Sequence, residues 1–236
     1  MRQYSASDPS TLDEALAALT AISDAPTADK PMFEEVPDSR EIKPTGTTAK
    51  FWNYLQSRGF DDPQAVIDRY RLRGCLRGRY KDRLLIPFYR ENMLIAWTAR
   101  AIGNPKYAPR YLSSNLVKTT VFNEDGLAGG NTLFVVEGPF DALKIDFYGQ
   151  KFGVSATCVF GTNISPDQVL ILSDLRKLYG RVVILFDHDA IEPSFMALDW
   201  LQASNVEIGQ LPDGTKDPGE MSRQEIETWL KGHWVR

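Results

Sequence analysis

The chain has 236 residues, 43% apolar and 25% charged, which supplies a core for one large or two small domains and excludes a disordered tail or a low-complexity scaffold. It contains no run of about 18 apolar residues, and its start has neither a basic n-region nor an apolar h-region, so a cytoplasmic protein without membrane contact is expected. The net charge of -4 hides a segregation: residues 49–120 carry 14 Lys+Arg against 5 Asp+Glu, while 1–48 carry 4 against 9 and 121–236 carry 9 against 17.

In chain order, the Ala/Leu-rich stretch 10–22 is expected to be a short helix capped by Ser10, with Asp13 and Glu14 in its first turn. Residues 23–48, rich in Pro, Thr, Asp and Lys, read as a linker. The segment 1–47 is therefore expected to be a short helix plus a flexible acidic arm, with folded structure starting near Thr48. A helix over 48–57 places Phe51, Trp52 and Leu55 on one face, and Phe51 and Trp52 are expected in the core. A second helix over 61–70 has Pro63 near its first turn and offers Val66, Ile67 and Tyr70 to the core. Strands follow at 83–89 and 93–99, joined by a turn at 90–92. Together, 48–130 read as a small, basic α+β subdomain suited to a polyanion.

From residue 131 the pattern changes to strand–helix alternation, the mark of an α/β domain with a mostly parallel sheet, expected over 131–236. Strands are expected at 133–136, 154–160, 182–186 and 206–210, and helices at 139–148, 165–179, 193–204 and 222–230. Ser165-Pro166 is a good helix start, and Ser222 with Glu225 forms a capping box.

Two of these strands end on carboxylates: Thr132 to Val136 delivers Glu137, with Asp141 one helical turn beyond, and Val182 to Phe186 delivers Asp187 and Asp189. The two aspartates sit two apart on an extended segment, so both can point to one side. Carboxylates gathered in this way repel unless cations neutralise them, and without a His/Cys set the favoured ions are Mg²⁺ or Mn²⁺ rather than zinc. Such a site suits in-line displacement at phosphorus. His188 lies between the aspartates and alternation turns it away from them. Cys75 and Cys158 are isolated from each other and read as reduced thiols, forming neither a zinc module nor a disulfide framework.

Val136-Glu137-Gly138-Pro139-Phe140-Asp141, Phe160-Gly161-Thr162-Asn163 and Leu185-Phe186-Asp187-His188-Asp189 resemble the TOPRIM fold, shared by primases, topoisomerases and some nucleases. The basic block narrows this. Arg83 to Phe88, Ile95 to Arg100 and Arg110-Tyr111-Leu112-Ser113-Ser114 resemble the N-terminal subdomain of bacterial and bacteriophage primases. Leu211-Pro212-Asp213-Gly214 and Lys216-Asp217-Pro218 resemble the acidic loop after their last sheet strand.

The resemblance implies a DNA primase core, a DNA-dependent RNA polymerase that joins ribonucleoside triphosphates into short primers on a single-stranded DNA template. It assigns the catalytic metals to Glu137, Asp187 and Asp189, with Asp141 supporting and Asp217 completing the cluster. It assigns nucleotide or template contacts to Arg83, Arg100 and Arg110, with Lys106-Tyr107 as a competing register for the Arg110 element. Three features depart from the family. Ile191-Glu192-Pro193 replaces the usual continuation after the Asp-x-Asp pair. Gly219 stands where a second Asp is usual, leaving Asp217 alone or Glu220 as its substitute. No Cys-x-x-Cys pair or Gly-x-x-x-x-Gly-Lys-Ser/Thr loop is present, so a separate helicase or zinc-module protein is expected as partner. A metal-dependent TOPRIM nuclease and a non-catalytic nucleic-acid-binding accessory are the alternatives.

Overall fold

The computed structural model describes residues 36–103, 108–186, 204–211, 214 and 217–234. The expected helices at 10–22 and 193–204 lie outside these residues, apart from Ser204 at the edge of the second. Folded structure begins before Thr48: β1 (Ser39–Glu41) pairs antiparallel with β2 (Arg73–Cys75), and Ile42 behind it is fully buried. A three-residue strand has no periodicity of its own, so its partner creates it.

Helix α1 (Ala49–Ser57) buries Phe51 and Leu55, with Trp52 half-buried against the same cluster. Phe51 lies so close to β2 that a Cβ on Gly74 would stand 2.3 Å from its ring, which is why glycine occupies that position. Helix α2 (Pro63–Tyr70) starts with the Asp62 side chain accepting from Ala65 N–H at 3.0 Å and Pro63 in its first turn. It ends on Arg71, whose φ of 53° is left-handed.

Strands β3 (Arg83–Arg90) and β4 (Met93–Ala101) form the expected hairpin, and β5 (Tyr111–Ser113) joins its edge. The result is a five-stranded antiparallel sheet in the order β1-β2-β3-β4-β5. Leu84, Ile86, Phe88 and Ala96 pack on the main core, whereas Cys75, Leu85, Trp97 and Ala99 form a small cluster on the opposite face under Tyr80.

The second sheet is parallel and comprises β6 (Gly130–Val136), β7 (Val154–Cys158), β8 (Tyr179–Leu185) and β9 (Val206–Ile208), ordered β7-β6-β8-β9. The C-terminal halves of its central strands, Leu133–Val136 and Val182–Leu185, are apolar because both faces are covered there. Phe134, Val136, Val183 and Leu185 enter the core shared with the antiparallel sheet, while Leu133, Val135, Val182 and Ile184 enter a second core. Helix α3 (Pro139–Gly149) connects β6 to β7, α4 (Pro166–Leu175) precedes β8, and α5 (Arg223–His233) closes the described chain. Both α4 and α5 start on capping boxes, at Ser165/Gln168 and Ser222/Glu225.

Some boundaries differ from the periodicity. β7 stops at Cys158 because Phe160 takes a φ of 60°. Helix α4 stops at Leu175, and β8 starts at Tyr179, whose main chain pairs with Gly130. The buried Asp146 carboxylate of α3 ties the core together, accepting from Arg69 and the Tyr70 hydroxyl, both at 2.7 Å, and from Ala156 N–H at 3.1 Å. Among the described residues, no helix is long and apolar enough to cross a membrane.

Candidate active site

The sheet order fixes where a ligand crevice opens. From β6 the chain turns through α3 to β7 on one side, whereas β8 leads to β9 on the other, so connections diverge beyond the C-terminal ends of β6 and β8. Ligands of open parallel sheets bind at that point. A cleft of about 360 Å³ lies at the end of β6, and it is lined by Glu137, Asp141, Asp217 and Glu220 together with Arg58, Arg100 and Arg110.

Its acidic floor follows from the β6–α3 junction. Val136 pairs with Leu185, the last residue of β8, and Glu137 leaves the sheet immediately after it. The Glu137 carbonyl accepts from Gly161 N–H at 3.1 Å, which holds the turn after β7 beside it. Asp141 stands in the first turn of α3, where the aligned peptide dipoles favour a negative charge. Its Oδ1 accepts from Gly219 N–H at 2.8 Å, so it also holds the short 3-10 turn Pro218–Glu220 that follows Asp217. A Cβ on Gly219 would approach Asp141 Oδ1 to 2.7 Å. This contact explains why glycine, and no second aspartate, occupies that position.

The basic wall comes from the antiparallel sheet. Arg100 and Tyr111 are directly opposed across β4 and β5, and Thr98 and Ser113 form the next pair on the same face, joined by a 2.7 Å hydroxyl hydrogen bond. Arg100 donates to the Tyr54 hydroxyl at 2.6 Å and to the Tyr111 hydroxyl, and its guanidinium carbon lies 4.5 Å from the Phe140 ring centroid. The aromatic collar fixes the fork while leaving donors for a ligand. Burial pushes the Tyr111 phenol up to about 12, so it stays neutral while accepting from Arg100. Arg110 is exposed at the lip.

Arg83 is a correction. It is only 5% exposed, and its guanidinium donates to the carbonyls of Ala99 (3.2 Å), Arg110 (3.2 Å) and Pro109 (2.7 Å). It is a buried tether for the strand that carries Arg110 and is absent from the cleft lining. Arg58 is the reverse case. It follows α1, donates to the Gly219 carbonyl at 2.7 Å and pairs with Glu220 at 3.6 Å. Its sequence context, an Arg-Gly at a helix end, reads only as a terminator.

The structure thus brings together Glu137, Asp141, Asp217, Arg100 and Arg110. Asp187, His188, Asp189 and Lys106 lie outside the described residues. The all-oxygen donor set matches a hard divalent cation, although among the described residues no three acidic, His or Cys side chains form a metal-holding group.

A basic antiparallel sheet set against a parallel sheet, with the cleft at the latter's C-terminal edge, is similar in fold to solved phage primase fragments. The likeness is to the primase fragment of the bacteriophage T7 primase-helicase protein, with a TM-score of 0.58 and 17% identity, covering 91% of this chain and 82% of that one. A second solved structure holds primase domains of two gp4 subunits bound to an RNA/DNA hybrid and dTTP, in contact with the T7 lagging-strand DNA polymerase. There the TM-score is 0.56 at 15% identity, covering 84% of this chain and 88% of that one. No protein-family model and no curated protein matches the sequence.

Proposed function

We propose that this chain is the catalytic core of a DNA primase, which joins ribonucleoside triphosphates into short primers on single-stranded DNA. The observation that carries the proposal is the opposition of Glu137, Asp141 and Asp217 to Arg100 and Arg110 across one cleft, at the sheet edge where phosphate ligands bind. The likeness in fold to the T7 primase fragment agrees with it.

In this reading Arg100 and Arg110 grip phosphate oxygens of the incoming nucleotide or template, and the aromatic collar keeps Arg100 from folding back onto the carboxylates. Glu137, supported by Asp141 and Asp217, would hold Mg²⁺ or Mn²⁺ together with Asp187 and Asp189 of the TOPRIM-like motif after β8. Two such ions supply the chemistry of phosphoryl transfer when bound, lowering the charge barrier between attacking and leaving oxygens. Template selection and strand opening are assigned in this reading to a zinc module and a helicase outside these 236 residues. The two cysteines, both buried, do not form a zinc pair.

The test is product analysis on unprimed single-stranded DNA with labelled ribonucleotides and Mg²⁺ or Mn²⁺, for wild type and the Asp187→Ala/Asp189→Ala double variant. A ladder of short RNAs made by wild type alone supports the primase. A shortened template without new chains would assign the same carboxylates to a nuclease, and DNA binding without either product would leave an accessory protein.

A further inference from the structure

Lys118, in the 3-10 turn Asn115–Thr119, is a cation with no carboxylate partner among the described residues. Its ammonium donates instead to two main-chain carbonyls, Val159 at 2.8 Å and Asn163 at 2.7 Å. The side chain is half-buried, and burial lowers its pKa. Taking a cation out of water without an ion pair costs free energy that its hydrogen bonds must offset, and here both bonds go to one loop.

That loop, residues 159–163, leaves the C-terminal end of β7 and lines the cleft with Phe160 and Gly161. Both have positive φ, 60° and 105°. A phenylalanine keeps such a conformation only where its surroundings over-determine it. The Phe160 ring packs on Phe88 with centroids 4.8 Å apart, and the two Lys118 bonds fasten the chain on either side of the turn. Lys118 is itself anchored from behind: Ser165 Oγ donates to its carbonyl at 2.5 Å, and Gln168 Nε2 donates to the Thr120 carbonyl at 2.9 Å. The turn held in this way presents Gly161 N–H to the Glu137 carbonyl, and Val159 N–H to the Val136 carbonyl beside it, each at 3.1 Å.

We propose that Lys118 is a positioning residue for Glu137. By bonding both ends of the 159–163 loop it keeps Gly161 against the Glu137 main chain, and so fixes how the Glu137 carboxylate leaves the sheet edge to meet a divalent cation. The inference rests on Glu137 as a metal holder, which the primase and the nuclease readings share.

The test is Mn²⁺ binding to the full chain, read from loss of the free-ion electron paramagnetic resonance signal, at a temperature where every variant is folded. Outer partners of metal ligands contribute about ten- to a hundredfold to affinity, so Lys118→Met is expected to bind Mn²⁺ about tenfold more weakly. Lys118→Cys should be equally weak. Alkylating its thiol with bromoethylamine rebuilds an ammonium at nearly the length of lysine and should restore wild-type affinity, while Cys75 and Cys158 are buried from the reagent. Arg83→Met, a destabilising change away from the cleft lining, should keep Mn²⁺ affinity. Unchanged affinity in Lys118→Met beside a weakened Glu137→Ala overturns the inference and leaves the metal reading standing. No recovery on alkylation, or an equal loss in Arg83→Met, assigns the effect to general loosening and also overturns it. A wild type that binds Mn²⁺ no better than Glu137→Ala overturns Glu137 as a metal holder, and the inference with it.

Discussion

Asp141 and Gly219 are 78 positions apart, yet Asp141 Oδ1 accepts the Gly219 N–H at 2.8 Å, so one carboxylate of the cleft holds the segment that presents another. With Arg58 bound to the Gly219 carbonyl from the other side, the turn after Asp217 is clamped between the end of α1 and the start of α3.

Gly219→Ala should break this clamp. The new Cβ would meet Asp141 Oδ1 at 2.7 Å and Phe140 Cβ at 3.2 Å, so the carboxylate or the turn must shift. Overpacking of this kind costs about 1–3 kcal/mol. Thermal unfolding should show a lower Tm together with a loss of primer synthesis. Asp141→Asn keeps the acceptor oxygen and removes the charge, so it should lose activity while Tm stays near wild type. Equal Tm losses in both variants would contradict the division of labour.

Arg100→Lys should be far from conservative. Lysine keeps the charge but cannot bond the Tyr54 and Tyr111 hydroxyls as a flat fork or stack on Phe140. A charge-assisted hydrogen bond is worth about 1.5–3 kcal/mol, corresponding to roughly 10- to 100-fold in nucleotide kcat/KM. Tyr111→Phe removes one bond and should cost only a few-fold. Steady-state kinetics at fixed template would check both, and an Arg100→Lys enzyme with wild-type kcat/KM would remove Arg100 from the site.

Arg83→Met separates a tether from a nucleic-acid contact. It leaves the carbonyls of Ala99, Pro109 and Arg110 without their shared donor. A loss on the order of 2–5 kcal/mol is expected in denaturant unfolding. The salt slope for DNA binding should stay unchanged at a temperature where the variant is folded. A reduced slope with wild-type stability would restore Arg83 as a phosphate contact.

Lys144 on α3 gives the fold a pH dependence. Its side chain is fully buried, donates to the Met221 carbonyl at 2.7 Å and lies 4.4 Å from the Phe60 ring centroid. Burial, aided by the nearby charge of Arg58, lowers its pKa to about 8. The unfolded chain keeps this proton up to about 10.4, so between these values it binds more protons than the folded state, and folding becomes more favourable as pH rises. The stability of wild type relative to Lys144→Met should therefore rise by on the order of 3 kcal/mol from pH 7.5 to 10.5. Denaturant unfolding across that range measures it, and a flat difference would mean that Lys144 titrates normally.

The sequence by itself determined the elements whose signals are contained within one segment. The apolar runs of β6 and β8, the capping boxes at Ser165 and Ser222, the β3–β4 hairpin and the change from α+β to strand–helix alternation all depend on neighbours a few positions away. So does the placement of Glu137 and Asp141, since a strand followed by a Gly-Pro helix start puts both at one edge. Only the tertiary structure decided which cations face the cleft. Arg83 and Arg100 bracket one hairpin and look alike in sequence, but Arg83 meets three carbonyls on one side of the sheet, and Arg100 meets three aromatic rings on the other. Strands β1, β2 and β5, the entry of Arg58 into the site and the demand for glycine at position 219 were hidden for the same reason. Each is fixed by a partner distant in sequence, and a residue's own neighbours carry no record of the surface against which the chain will fold.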